Sequence, residues 1–102
     1  MLGASEGEFP RAIFAPRTLQ ECYDMAIQAF NLAEKYQCPV MIATDLYLAE
    51  RLETFDGVDL NKIPIERGEL VTQANGTYRR FLDTPTGVSP RALPGTPGTI
   101  YT

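Results

Sequence analysis

The side chains with the widest chemical reach in this sequence gather in a short acidic turn, Gly3-Ala-Ser-Glu-Gly-Glu-Phe-Pro10. Glu6 and Glu8 stand two residues apart beside glycines, and Arg11 follows directly. Such a turn can line a pocket, with either carboxylate as a hydrogen-bond or charge partner, or it can be a solvated loop. Phosphate is not its ligand, because the turn is negatively charged and carries neither GxGxxG nor GxxxxGK[ST]. Asp45 closes an apolar run at the carboxyl end, the edge where open α/β sheets meet ligands. An aspartate there equally caps the helix that follows. Glu50 and Arg51 suggest a surface pair. Arg79, Arg80 and Arg91 can meet an anionic ligand, or pair with nearby carboxylates of the same chain.

The composition removes most other chemistries. There is no histidine, so the chain alone builds no Ser-His-Asp or Cys-His nucleophile, no His-ligated metal and no His general base. Its two cysteines, Cys22 and Cys38, form no CxxC pair, which excludes zinc ribbons, thioredoxin-like motifs and self-contained iron–sulfur sites. Both are expected as buried thiols in a reducing compartment. Thirteen acidic against nine basic residues give a net charge of −4, which argues against nucleic acid or an anionic membrane as the main partner. No apolar run reaches membrane-spanning length, and no basic region leads into an apolar one at the N-terminus. A cytoplasmic location is therefore expected. The triplet Asn75-Gly76-Thr77 matches the glycosylation pattern, one that arises often by chance.

The elements that must position these residues are legible in part. Arg11 to Pro16 reads as a short strand covered on both faces, ended by Pro16. Thr18-Leu-Gln-Glu21 is a capping box, and it predicts a helix over 19–36. Gln20, Asp24, Gln28, Asn31 and Lys35 line its polar face, while Leu19, Cys22, Ala26, Ala29 and Ala33 form a small-residue stripe for a sheet. The run from Pro39 to Asp45 predicts a buried parallel strand. A second, short helix is expected from Leu46 to about Glu53. Together these make a βαβ unit.

From Phe55 onward no period is sustained, though Tyr78-Arg-Arg-Phe-Leu82 offers a short strand. Residues 76–98 hold four of the eight glycines and four of the eight prolines, which excludes regular helix or a central strand from Ser89 to Gly98. The fold class is thus α/β: a partial doubly wound parallel sheet of one βαβ unit plus a short helix, then an extended Pro/Gly-rich segment. In 102 residues of 44% hydrophobic content there are too few strands for a complete doubly wound domain.

The order of segments adds to this. Gly7-Glu-Phe-Pro-Arg11, Ile13-Phe-Ala-Pro16, the helix end Phe30-Asn-Leu-Ala-Glu-Lys-Tyr36, Pro39-Val-Met-Ile42, Asp45-Leu-Tyr-Leu-Ala49 and Gly87-Val-Ser-Pro-Arg-Ala-Leu-Pro-Gly-Thr-Pro-Gly98 follow in turn. This succession resembles the alpha subunit of 2-oxoacid:ferredoxin oxidoreductases, the 2-oxoglutarate synthase type most of all. The resemblance covers nearly the whole chain. It implies that residues 1–54 are the C-terminal βαβ portion of a pyrimidine-type thiamine diphosphate domain, and 55–102 an irregular connector.

The resemblance also implies a complex that oxidatively decarboxylates a 2-oxo acid to acyl-CoA and CO2 and reduces ferredoxin. Its cofactors would be thiamine diphosphate with Mg2+, an iron–sulfur cluster and coenzyme A, none of them held by this chain alone. The partners implied are the beta subunit, the remainder of the alpha subunit and, through the complex, ferredoxin. In that family the glutamate that activates the aminopyrimidine, the YPITPST-like loop and the GGPSTG-like loop lie upstream of the matched region. No catalytic residue is carried over. Glu8 and Arg11, in the family-like GEFPR turn, are pocket neighbours at most. The chain starts where the family is still mid-domain and stops soon after the Pro-Gly-Thr-Pro-Gly stretch. It is read as an excised piece, a proteolytic remnant or a misassigned gene start.

Two other readings stay open: a stand-alone interaction or scaffold module whose Pro-Gly tail docks on a partner, and a small regulatory domain that binds an acidic metabolite through Arg79, Arg80 or Arg91. If the chain is instead a piece of the alpha subunit, the faces built from Ile13, Phe14, Val40, Met41 and Ile42 lack covering layers, and the isolated chain should associate.

Overall fold

The computed structural model describes residues 3–74 and 76–100, so Asn75 of the glycosylation triplet lies outside it. The elements run β1 (Ala12–Phe14), α1 (Leu19–Tyr36), β2 (Val40–Ile42), α2 (Leu46–Glu50), β3 (Leu70–Val71) and β4 (Arg91–Ala92). They fall into two compact units, residues 1–66 and 67–102.

The first unit is the expected βαβ. β1 and β2 are parallel, with Ala12 opposite Val40, Ile13 opposite Met41 and Phe14 opposite Ile42. The ladder continues at both ends: the Ala12 amide donates to Pro39 O (3.1 Å) and the Ala43 amide to Phe14 O (2.8 Å). α1 occupies the predicted span. The Thr18 hydroxyl accepts from the Glu21 amide at 3.1 Å, one half of the capping box. The other half is shifted: the Glu21 carboxylate accepts from the Arg17 amide at 2.8 Å, one residue ahead of the cap. Gln37, left-handed at φ 52°, ends the helix. The alanine stripe allows close approach, and α1 packs on β2 with Ala29 buried.

Burial departs from expectation. Among the described residues only Pro16, Ala29 and Leu48 are buried. No residue of β1 or β2 is buried, and Ile42 is 40% exposed. The continuous apolar runs anticipate cover on both faces, whereas this unit places a single long helix against two strands. Cys22 and Cys38 are likewise half-buried, and both are free thiols.

α2 stops at Glu50 rather than Glu53. Asp45 caps it, its Oδ1 accepting from the Leu48 amide at 2.7 Å, and Leu48 is buried. Arg51 is already extended, and Leu52 is 99% exposed. A second turn would have nothing to pack its apolar side against, and short helices need such packing. Arg51 pairs with Glu53 at 3.2 Å, in place of the expected Glu50.

The first unit extends past residue 54 because α1 holds the next segment with side chains. Asn31 donates to Pro64 O (2.7 Å) and accepts from the Glu66 amide (2.9 Å), while Lys62 meets Asp24 at 3.1 Å.

In the second unit β3 and β4 form a two-stranded parallel sheet, Leu70 opposite Arg91 and Val71 opposite Ala92. Tyr78–Leu82 is a turn, not a strand, closed by the Leu82 amide on Arg79 O at 3.4 Å. The Tyr78 hydroxyl and Arg80 Nη1 both donate to Pro90 O, at 3.3 and 3.4 Å, so side chains supply the bonds a ladder would have made. Hydroxyls staple the rest. Thr84 donates to Val88 O (3.0 Å), Ser89 to Leu82 O (2.8 Å), Thr96 to Leu93 O (2.8 Å) and Thr99 to Thr96 O (2.7 Å). Leu93 to Thr99 thus forms two successive Pro-Gly-Thr turns, with Gly95 and Gly98 at φ 89° and 74°. Both need the left-handed region that glycine supplies.

Candidate functional site

The acidic turn sits where the chain enters β1. Ser5 and Gly7 take positive φ, 73° and 79°, which bends the backbone back on itself. Arg11 fixes the bend: its Nη1 donates to Ala4 O, and its guanidinium lies 4.2 Å from the centroid of the Phe9 ring. Glu6 and Glu8 are exposed. Because β1 and β2 are parallel, residues that precede β1 lie at the amino edge of the sheet. Asp45, three residues after β2, lies at the carboxyl edge. Glu8 and Arg11 are therefore not brought together with Asp45, and Asp45 is engaged as a helix cap.

Glu21, in the first turn of α1, has its acidity shifted by its neighbours. The Arg17 backbone N–H, first, and then the Arg17 guanidinium at 3.3 Å hold its carboxyl below the ordinary value. That favours the anion at the start of α1, where the helix dipole favours it too. The role is structural. Arg80 and Arg91, offered above as ligands for an anion, reach backbone carbonyls, of Pro90 and of Arg67 respectively.

The donor set does not fit a diphosphate with its cation. Among the described residues no group of three or more Cys, Asp or Glu could hold a metal ion. No glycine-rich loop opens a helix to cradle phosphate oxygens. The described residues thus offer no ligand group for the charge-neutralising cation that such a cofactor requires.

What the first unit does build is a groove of about 330 Å3. Gln28, Asn31, Leu32 and Lys35 of α1 form one wall, Phe14 contributes from β1, and Ile63, Pro64 and Glu66 face them. The surface is mainly apolar and brings no acid–base pair together. Asn31 organises it, a residue that the sequence places only on the polar face of α1. Its partners lie more than thirty residues away in a segment without periodicity, so no local signal marks it. The second unit has a groove of about 460 Å3 between Tyr78 and residues 92–100.

Residues 2–99 match a family model described as pyruvate flavodoxin/ferredoxin oxidoreductase, thiamine diphosphate-binding. The chain is similar to 2-oxoacid:ferredoxin oxidoreductase 1, subunit alpha, of Sulfurisphaera tokodaii, 40% identical over 101 residues, covering 97% of this chain and 16% of that protein. It is 35% identical over 101 residues to 2-oxoacid:ferredoxin oxidoreductase 2, subunit alpha, of Aeropyrum pernix, again covering 97% and 16%. The 2-oxoglutarate synthase subunit KorA of Methanothermobacter thermautotrophicus is 37% identical over 67 residues, 66% of this chain and 18% of its own length. The chain spans about a sixth of the length of the first of these relatives.

Proposed function

The chain belongs to the pyruvate flavodoxin/ferredoxin oxidoreductase thiamine diphosphate-binding family, and from that membership we propose that it works as part of the alpha subunit of a 2-oxoacid:ferredoxin oxidoreductase. In this reading residues 1–54 belong to the βαβ end of the pyrimidine-side domain, and 55–102 lead out of it. The enzyme decarboxylates a 2-oxo acid, 2-oxoglutarate as the substrate proposed here, transfers the acyl group to coenzyme A and passes the electron pair to ferredoxin. The beta subunit and the rest of the alpha subunit hold thiamine diphosphate, Mg2+ and the iron–sulfur cluster. This chain contributes scaffold. Glu8 and Arg11, in the turn before β1, are at most neighbours of a pocket formed by the rest of the complex.

The observation that carries this reading is the state of the sheet. Two parallel strands of purely apolar sequence, Ala12–Phe14 and Val40–Ile42, have no fully buried residue. Strands of that composition belong in the middle of a sheet covered on both sides. Relatives six times longer supply an origin for the missing neighbours.

The test for the substrate uses the native enzyme that contains this chain, assayed for coenzyme A-dependent ferredoxin reduction with 2-oxoglutarate and with pyruvate. A higher kcat/KM for 2-oxoglutarate is expected. A preference for pyruvate would overturn the substrate assignment and leave the family assignment standing.

A further inference from the structure

Residues 59–66 lie along α1 without being packed onto it. Their apolar side chains contribute little: Leu60 is 79% exposed and Ile65 80% exposed, and only Ile63 is half-buried. Beneath Ile63 and Pro64 lies the groove of about 330 Å3, so part of the space that a packed segment would fill stays open. The attachment is polar. Asn31 uses both ends of its amide, as a backbone peptide would, donating to Pro64 O at 2.7 Å and accepting from the Glu66 amide at 2.9 Å. Lys62 meets Asp24, two turns earlier on the same face of α1, at 3.1 Å. The segment has its own local structure as well, since Asp59 Oδ1 accepts from the Asn61 amide at 3.0 Å and Asp59 O from the Lys62 amide at 3.3 Å.

We propose that residues 59–66 form a releasable strap over α1, latched by the Asn31 amide and the Lys62–Asp24 pair, which opens as a unit while the βαβ unit stays folded. The physical ground is the kind of attachment. Burial resists local opening in proportion to the apolar area lost, whereas exposed hydrogen bonds and ion pairs are individually weak and the ion pair is screened by salt. Opening removes Ile63 and Pro64 from the groove and bares Phe14 and Leu32. The strap is thus a device that exposes or covers an apolar face at small cost.

Amide hydrogen exchange on the native enzyme that contains this chain tests this at single residues. The Glu66 amide, bonded to Asn31 Oδ1, reports the latch, and the amides of Ala29 and Ala33 report α1. Asn31→Ala should speed exchange at Glu66 about tenfold, the loss of two hydrogen bonds, and change Ala29 and Ala33 less than about twofold. Lys62→Gln lies outside the helix and should speed the Glu66 amide about threefold, as should raising salt on the unmodified chain. Parallel acceleration in α1 would overturn the proposal, because strap and helix would then be one cooperative unit. So would an unchanged Glu66 rate in both variants, or an α1 already unprotected in the unmodified chain.

Discussion

At the scale of single residues, the side chains with chemical potential are mostly committed to holding backbone. Asp45 and Thr18 cap helices, Arg11 folds its own turn, and the threonines of the second unit staple carbonyls. The Asp45 and Thr18 roles were readable, because a cap acts on an amide three residues on. The Asn31 latch was not, since its partners are distant in sequence. Two predictions belong here. A Cβ on Gly98 would run into Ala74 O, while one on Gly95 would meet open space, although both residues have positive φ. Gly95→Ala should therefore cost only backbone strain, about 1 kcal/mol, and Gly98→Ala about 2–3 kcal/mol, read from exchange at the Arg91 amide. Equal costs would show that the Ala74 contact is unimportant. Glu21 has a folded acidity constant below its ordinary 4.5, so its stabilising effect is present above that pH and lost as pH falls through the folded value. The helicity difference between the native chain and Glu21→Gln should accordingly be largest above about pH 4.5 and close on further acidification. A difference independent of pH would refute that role.

At the scale of elements, agreement between sequence and structure follows the range of the forces involved. α1 was legible to the residue at both ends, since its cap and its face are local signals. The two apolar strands were legible as parallel partners, but their expected burial depends on neighbours that the first unit does not provide. α2 ended early and Tyr78–Leu82 did not become a strand for a related reason: each has local propensity and no surface or ladder to complete it. It follows that α1 depends strongly on its start. Thr18→Ala should destabilise it by about 1 kcal/mol, seen as lower helicity by circular dichroism and faster exchange in the first turn. Asp45→Ala, acting on a helix of five residues, should melt α2 and leave α1 unaffected. Retention of α2 in that variant would mean that Leu48 burial alone holds it.

At the scale of the molecule, the exposed side chains tell most. Phe30, Leu46, Tyr47 and Leu52 are each at least 70% exposed, beside a sheet with no fully buried residue. A surface of this kind favours association, and the isolated chain should sediment as oligomers or aggregates. A monodisperse monomer in analytical ultracentrifugation would contradict that expectation. Among the described residues no group of three or more Cys, Asp or Glu could hold a cation, and the chain covers 16% of the length of its Sulfurisphaera tokodaii relative. We propose that this chain supplies scaffold to a thiamine diphosphate enzyme and no cofactor site of its own. Isothermal titration calorimetry of the 102-residue chain with thiamine diphosphate in the presence of Mg2+ tests it most directly. No saturable heat is expected, and stoichiometric, saturable binding would contradict it.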